Sequence, residues 1–191
     1  MAHSDLAPVS AFAGLESPPT GRGGVVVSER DGLGLATVLV RKGEAAALAS
    51  RLRERFGIEL PVEPRRAVAG DVSISGTGPG AWLASGPGGN AFASSLRNAI
   101  GDLASVSDQS DGLAVVRLSG AKVRDVLGKL FFVDLDSRAF RAGDVAVTPA
   151  GHIGATLWRL DDAPDGSPAF EIAVNRSYAA SFWHELMELN P

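Results

Sequence analysis

Apolar residues recur along this chain with two periods, and the alternation between them predicts the elements. Residues 35–40, Leu-Ala-Thr-Val-Leu-Val, are rich in β-branched side chains and predict a buried strand. Over 44–56 the period lengthens: Leu48, Leu52 and Phe56 fall four apart on one face and Gly57 marks the stop, which predicts a helix. Residues 68–75 and 81–85 bracket Gly76-Thr77-Gly78-Pro79-Gly80 as a hairpin. Asn90 is placed to cap a helix that carries Phe92, Leu96, Ala99 and Ile100 and closes at Gly101, and residues 103–106 supply a further strand.

The layout then recurs. Residues 113–118 predict a strand, and Ser119 the cap of a helix with Val123, Val126, Leu127 and Leu130 at i, i+3, i+4 and i+7. Strands at 146–148 and 153–160 lead through the polar turn 161–166 to a strand at 169–174. A last helix over 178–189 sets Phe182, Leu186 and Leu189 on one face, with Trp183 beside them. Strand–helix–hairpin–helix thus occurs twice, with starts about 80 residues apart, longer than a solenoid period of ~20–50. This order predicts an α+β fold of two related lobes, about 25–106 and 107–191, with helices segregated onto antiparallel or mixed sheets.

Residues 1–24 follow neither period. Pro8, Pro18 and Pro19 with Gly14, Gly21, Gly23 and Gly24 favour an extended arm over a helix. Leu6, Val9, Phe12 and Leu15 are too apolar for a solvated tail, so the arm lies across either the chain's own body or a partner. Removal of residues 1–20 is accordingly expected to weaken assembly more than folding.

Composition narrows the chemistry. The 191 residues contain 18 Lys and Arg against 22 Asp and Glu, a net charge of −4, which argues against a nucleic-acid partner. No run approaches the ~18 apolar residues of a membrane span. The start lacks the basic and apolar regions of a signal peptide, so a cytoplasmic location is expected. With no cysteine there is no disulfide framework, thiolate zinc site or cysteine nucleophile. The 23 glycines and 11 prolines raise the question of whether they cradle a ligand or turn the chain.

Each motif lacks part of its context. Gly32-Leu33-Gly34 begins like a dinucleotide fingerprint but precedes a strand, and Gly86-Pro87-Gly88-Gly89 precedes a helix without the Lys and Ser/Thr of a P-loop. His184-Glu185-Leu186-Met187-Glu188 carries Glu where a zinc-protease helix needs its second His. Asp161, Asp165 and Gly166 resemble the opening of a calcium loop, yet Ile172 stands at the bidentate position. Asp108, Asp111, Asp134 and Asp136 are available carboxylates with no visible partner, and no G-x-S-x-G elbow occurs. Residue by residue, the chain shows a core without a complete active site.

A family resemblance enters with the second half. Residues 106–127, which include Asp111-Gly112-Leu113-Ala114-Val115-Val116-Arg117-Leu118-Ser119-Gly120, are followed by Gly151-His152-Ile153-Gly154-Ala155-Thr156-Leu157-Trp158-Arg159. Then come residues 169–184, which end in Asn175-Arg176-Ser177-Tyr178-Ala179-Ala180-Ser181-Phe182-Trp183-His184. In wording and order these resemble the gamma subunit of heterotetrameric sarcosine oxidase. The first half matches more loosely, through the Arg41-Lys42-Gly43 turn, the Ala/Leu helix and Trp82-Leu83-Ala84. Phe131-Phe132-Val133-Asp134-Leu135 departs from the family, in which a Cys-Pro step often precedes the Asp-Leu.

The resemblance implies a diverged aminomethyltransferase-like, folate-binding-type fold with no cofactor or catalytic residue of its own. It also implies a complex that oxidatively demethylates sarcosine or a related N-methyl amino acid. The products would be hydrogen peroxide and formaldehyde or methylene-tetrahydrofolate. The partners would be an alpha subunit with NAD and a tetrahydrofolate region, a beta subunit with FAD and covalent FMN, and a delta subunit with zinc. Within such a complex this chain would be a noncatalytic assembly subunit. Phe131, Phe132, Trp158 and Trp183 are candidate interface anchors, with His152 a candidate contact, each alternatively part of the chain's own core. The other reading is an autonomous folate-binding protein related to aminomethyltransferase.

Overall fold

Two short links set the topology of this chain, each carrying it from the edge of one sheet to an inner strand of the other. A computed structural model describes residues 9–15 and 24–189. The elements are β1 (Val26–Glu29), β2 (Gly34–Val40), α1 (Ala45–Phe56), β3 (Arg66–Ala69), β4 (Val72–Gly78), β5 (Ala81–Gly86), α2 (Ala91–Ile100), β6 (Ala104–Asp108), β7 (Leu113–Ser119), α3 (Val123–Leu130), β8 (Val145–Ala150), β9 (Ile153–Arg159), β10 (Ala169–Asn175) and α4 (Ala179–Leu189). The strands form two five-stranded sheets, β3-β4-β5-β2-β6 and β8-β9-β10-β7-β1, with every named pairing antiparallel. The two orders correspond strand for strand. β1 lies against β7 before the chain enters β2, and β6 lies against β2 before it enters β7.

This exchange redraws the expected lobe boundary. Residues 26–29 belong to the sheet of the second lobe, not the first, because β7 offers the free edge that pairs with them from Val26 opposite Ser119 to Glu29 opposite Val116. A four-residue strand with one buried side chain, Val27, carries no periodicity that could name its sheet. The β1–β7 pairing is tight at its start. Gly120 has φ +133°, and a Cβ there would stand 2.1 Å from the Gly24 carbonyl oxygen, so only glycine lets the two segments pass.

Helices cover the outer face of each sheet. Leu48 and Leu52 of α1 and Phe92 and Leu96 of α2 pack on Val38, Ile74 and Ala84. Val126 and Leu127 of α3 and Phe182 and Leu186 of α4 pack on Leu118, Leu157 and Ile172. A smaller apolar cluster, including Leu35, Leu83, Val115 and Trp158, joins the inner faces. Helix–sheet–sheet–helix is the layered solution for amphipathic helices and strands with two apolar faces. Among the described residues no helix is long and apolar enough to cross a membrane.

Three local expectations are corrected. The run 68–75 is divided by a turn at Gly70-Asp71 into β3 and β4, which pair with each other. Asn90 does not cap α2 with its side chain: its backbone is already helical, and its Nδ2 donates to Asp111 Oδ2 at 2.8 Å. Ser119 ends β7, and α3 starts at Val123 after the Gly120 turn, which the Val123 N–H closes by donating to the Gly120 carbonyl at 3.1 Å.

The described stretch of the arm, residues 9–15, is turned rather than extended, and it lies on the chain's own body. The Phe12 ring sits 4.9 Å from that of Trp183 and is buried, and the Arg176 guanidinium donates to the Val9 carbonyl. Residues 1–8 and 16–23, with Leu6, Pro18 and Pro19, lie outside the described residues. Because Phe12 completes the second core, Phe12→Ala should cost about 3 kcal/mol, the lower end of the Phe→Ala range, by urea denaturation. Removal of residues 1–20 should then cost folding as well as assembly. An unchanged denaturation midpoint for Phe12→Ala would return the arm to a partner.

Candidate functional site

The glycine-rich stretches serve packing. A Cβ on Gly34 would stand 2.3 Å from Phe92 Cβ, and one on Gly86 would stand 2.4 Å from Phe92 Cε2. Both glycines therefore make room for the first turn of α2 to settle on its sheet. Three of the carboxylates noted in the sequence close local turns. Asp108 Oδ1 accepts from the Ser110 N–H and Oγ, Asp134 Oδ1 from the Asp136 N–H, and Asp165 Oδ1 from the Ser167 N–H, at 2.7–2.9 Å. Asp136 accepts from Arg138, whose hydrogen bonds hold its carboxyl below the usual range. His184 forms an exposed i, i+4 pair with Glu188 at 3.4 Å. No group of three or more metal-ligating side chains forms among the described residues.

The expected interface aromatics divide. Phe131, Trp158 and Trp183 are corrected to core residues: Phe131 and Trp183 pack in the second lobe, and Trp158 packs between the sheets. An aromatic residue in an amphipathic pattern marks a face, and here that face meets the chain's own layers. Phe132 instead is 89% exposed and His152 is exposed. The bridge of Phe131 to Ala150, with the Gly151 N–H donating to the Leu130 carbonyl at 2.8 Å, sets both at the corner where α3 meets the β8–β9 hairpin. Pro149, next to that bridge, lines an open cleft of about 370 Å³ with Leu113, Val147, Gly154, Thr156 and Ala173. Val147 is more than half exposed there.

A second feature lies between the sheets. Glu171 is 2% exposed, and its Oε2 accepts from Trp158 Nε1 at 2.9 Å. Its Oε1 accepts from Arg117 Nε at 2.9 Å and Nη2 at 2.7 Å, and Arg30 Nε stands 2.9 Å from the same oxygen without aiming its N–H along the line of a hydrogen bond. Arg66, on β3 of the facing sheet, completes the group. Burial pushes its pKa below the ordinary value, with the Glu171 and Asp161 charges opposing and the Arg117 and Arg30 charges reinforcing the shift. The residues come from β10, β9, β7, β3 and the end of β1. A lone charge within each otherwise apolar run 113–118 and 169–174 was the available signal, since charges in buried strands are retained when paired.

Two helix-backed antiparallel sheets, stacked and cross-linked by exchanged edge strands, define an α+β protein of the architecture found in the folate-binding domain of aminomethyltransferases. The chain belongs to the sarcosine oxidase gamma subunit family, whose model matches residues 42–190. Its structure is similar to that of a chain of the heterotetrameric sarcosine oxidase from Corynebacterium sp. U-96 in complex with pyrrole 2-carboxylate. The TM-score is 0.79 at 23% identity, covering 95% of this chain and 94% of that one. It is also similar to the glycine cleavage system aminomethyltransferase T from Bartonella henselae, with a TM-score of 0.61 at 14% identity. That match covers 87% of this chain and 46% of the other, so this chain spans about half of that protein. At these identities the likeness is one of fold. No curated protein matches the chain by sequence.

Proposed function

We propose that this chain is a noncatalytic assembly subunit of a heterotetrameric, flavin-dependent, sarcosine-oxidase-like complex in the cytoplasm. The complex oxidatively demethylates sarcosine or a related N-methyl amino acid, giving hydrogen peroxide and formaldehyde or methylene-tetrahydrofolate. Its alpha, beta and delta subunits carry NAD, tetrahydrofolate, FAD, FMN and zinc. Family membership supports the complex. The observation that carries the subunit role is Phe132, a large apolar side chain 89% exposed at the corner where α3 meets the β8–β9 hairpin. Such a residue is what an interface core uses as an anchor. Asp108, Asp134 and Asp165 are engaged in local turns and Asp111 pairs with Asn90, which suits a scaffold.

Phe132→Asp separates docking from folding. As an exposed substitution it should shift the stability of the isolated chain by no more than about 0.5 kcal/mol. Loss of a hot-spot aromatic should cost about 2 kcal/mol or more of association, roughly thirtyfold. Co-purification with the neighbouring gene products, followed by native mass and flavin absorbance, reads the effect. A variant that assembles like wild type removes Phe132 from the interface. A wild-type chain that stays monomeric beside those partners and binds tetrahydrofolate unaided replaces the proposal with the autonomous folate-binding reading.

A further inference from the structure

We infer that Arg30, Arg66 and Arg117, gathered around Glu171 between the two sheets, form a binding site for the oxyanion of a small molecule, a carboxylate or a phosphate. Three guanidiniums, which stay protonated in proteins, are set against one buried carboxylate, Glu171, and one exposed carboxylate, Asp161, whose charge acts on Arg66. Glu171 is already engaged: Oε2 by the Trp158 indole, Oε1 by two nitrogens of Arg117 and by the charge of Arg30. The group is therefore short of negative charge within a chain whose net charge is −4.

The hydrogen-bond pattern points the same way. Three buried side-chain nitrogens lack a hydrogen-bond partner among the described residues, and two of them, Arg30 Nε and Arg66 Nε, belong to this group. Arg30 Nε faces Glu171 Oε1 at 2.9 Å off the hydrogen-bond line and Arg66 Nε has no acceptor, so the group holds more donors than its carboxylate satisfies. The side chains of Arg30 and Arg117 are 38% and 41% exposed, so their outer ends reach solvent while Glu171 fixes their inner ends. A guanidinium held rigidly at one end presents its remaining N–H groups as a fork matched to a planar or tetrahedral oxyanion. Arg66 and Arg117 lie on β3 and β7 and Arg30 just after β1, all converging on Glu171, which favours a single compact anion over an extended acidic segment.

The test is thermal denaturation and isothermal titration calorimetry on the full chain. Sodium phosphate and sodium succinate are titrated separately, with sodium chloride holding ionic strength constant. At least one of the two should raise Tm saturably, and which one does so identifies the anion as phosphate or carboxylate. Arg66→Gln and Arg30→Gln should each weaken binding at least tenfold, whereas Arg138→Gln, an exposed arginine outside the group, should leave it unchanged. Glu171→Gln should tighten binding, because the resident competitor is neutralised. If Glu171→Gln does not fold, Arg30→Lys serves instead: it keeps the charge but loses the fork and should bind less tightly than wild type. Absence of a saturable effect with both anions overturns the inference, as does an effect that survives in Arg66→Gln and Arg30→Gln. If neither anion binds but Arg66→Gln impairs assembly, the group meets a protein carboxylate and the small-molecule site is rejected.

Discussion

Glu171→Ala is expected to lower the stability of the chain by about 3 kcal/mol, the lower end of the range for breaking a buried ion pair. The carboxylate is 2% exposed, accepts from Trp158 and Arg117, and is the counter-charge of Arg30. Its removal strands the indole N–H between the sheets and leaves guanidinium charge without its counterion. The lower end applies because Arg30 and Arg117 are about two-fifths exposed and can recover hydration, whereas Trp158 cannot. Urea denaturation measures the loss. Trp158→Phe supplies an internal comparison: it deletes one donor, keeps an aromatic ring and leaves both arginine pairs, so it should cost less than Glu171→Ala. Equal costs would show that packing of the indole, and not the charge group, joins the two sheets.

The second large effect belongs to Phe170, on the opposite face of β10. Its ring is fully buried in the second core, stacked on Phe140 at 6.4 Å. The guanidinium carbon of Arg159 lies 5.1 Å from the ring centroid, and that of Arg124 lies 5.9 Å from it. Phe170→Ala removes a core aromatic and should cost about 3–5 kcal/mol. The two arginines also lose the ring as an electrostatic partner, a further ~0.5–2 kcal/mol, with the larger share from Arg159, which is buried. Phe170→Leu retains most of the volume but not the ring face, so its smaller loss isolates the cation–ring part. Should Leu and Ala cost the same, the ring's electrostatics rather than its volume dominate the site.

β10 places these two residues next to each other with opposite tasks. Phe170 points to the helix-covered face, and Glu171 to the inner face shared with the other sheet. The alternation of side chains along a strand makes that division, and one register fixes both, since Phe170 lies opposite Leu118 and Glu171 opposite Arg117.

Much of this was legible in the chain. The helix over 44–56 is observed as Ala45–Phe56, and Val123, Val126, Leu127 and Leu130 are all buried on one face of α3. Spacing of this kind is local, decided by residues within one or two turns of each other, and the motifs from residue 106 to 184 pointed to the gamma family. The candidate site was only half legible. Phe131 and Phe132 are adjacent and chemically identical, and no local signal says that one enters the core and the other meets solvent.

The identity of the elements, the apolar face of each, the α+β class and the family are all written in the order of the residues. The sheet that receives β1, the return of Phe12 onto Trp183, and the gathering of Arg30, Arg66 and Arg117 around Glu171 arise only in the tertiary structure, when distant segments of the chain meet. The physical reason is range. Periodicity records that a face is buried without recording what covers it, whereas strand exchange and a charge group assembled from opposite ends of the chain depend on pairings that no local window contains.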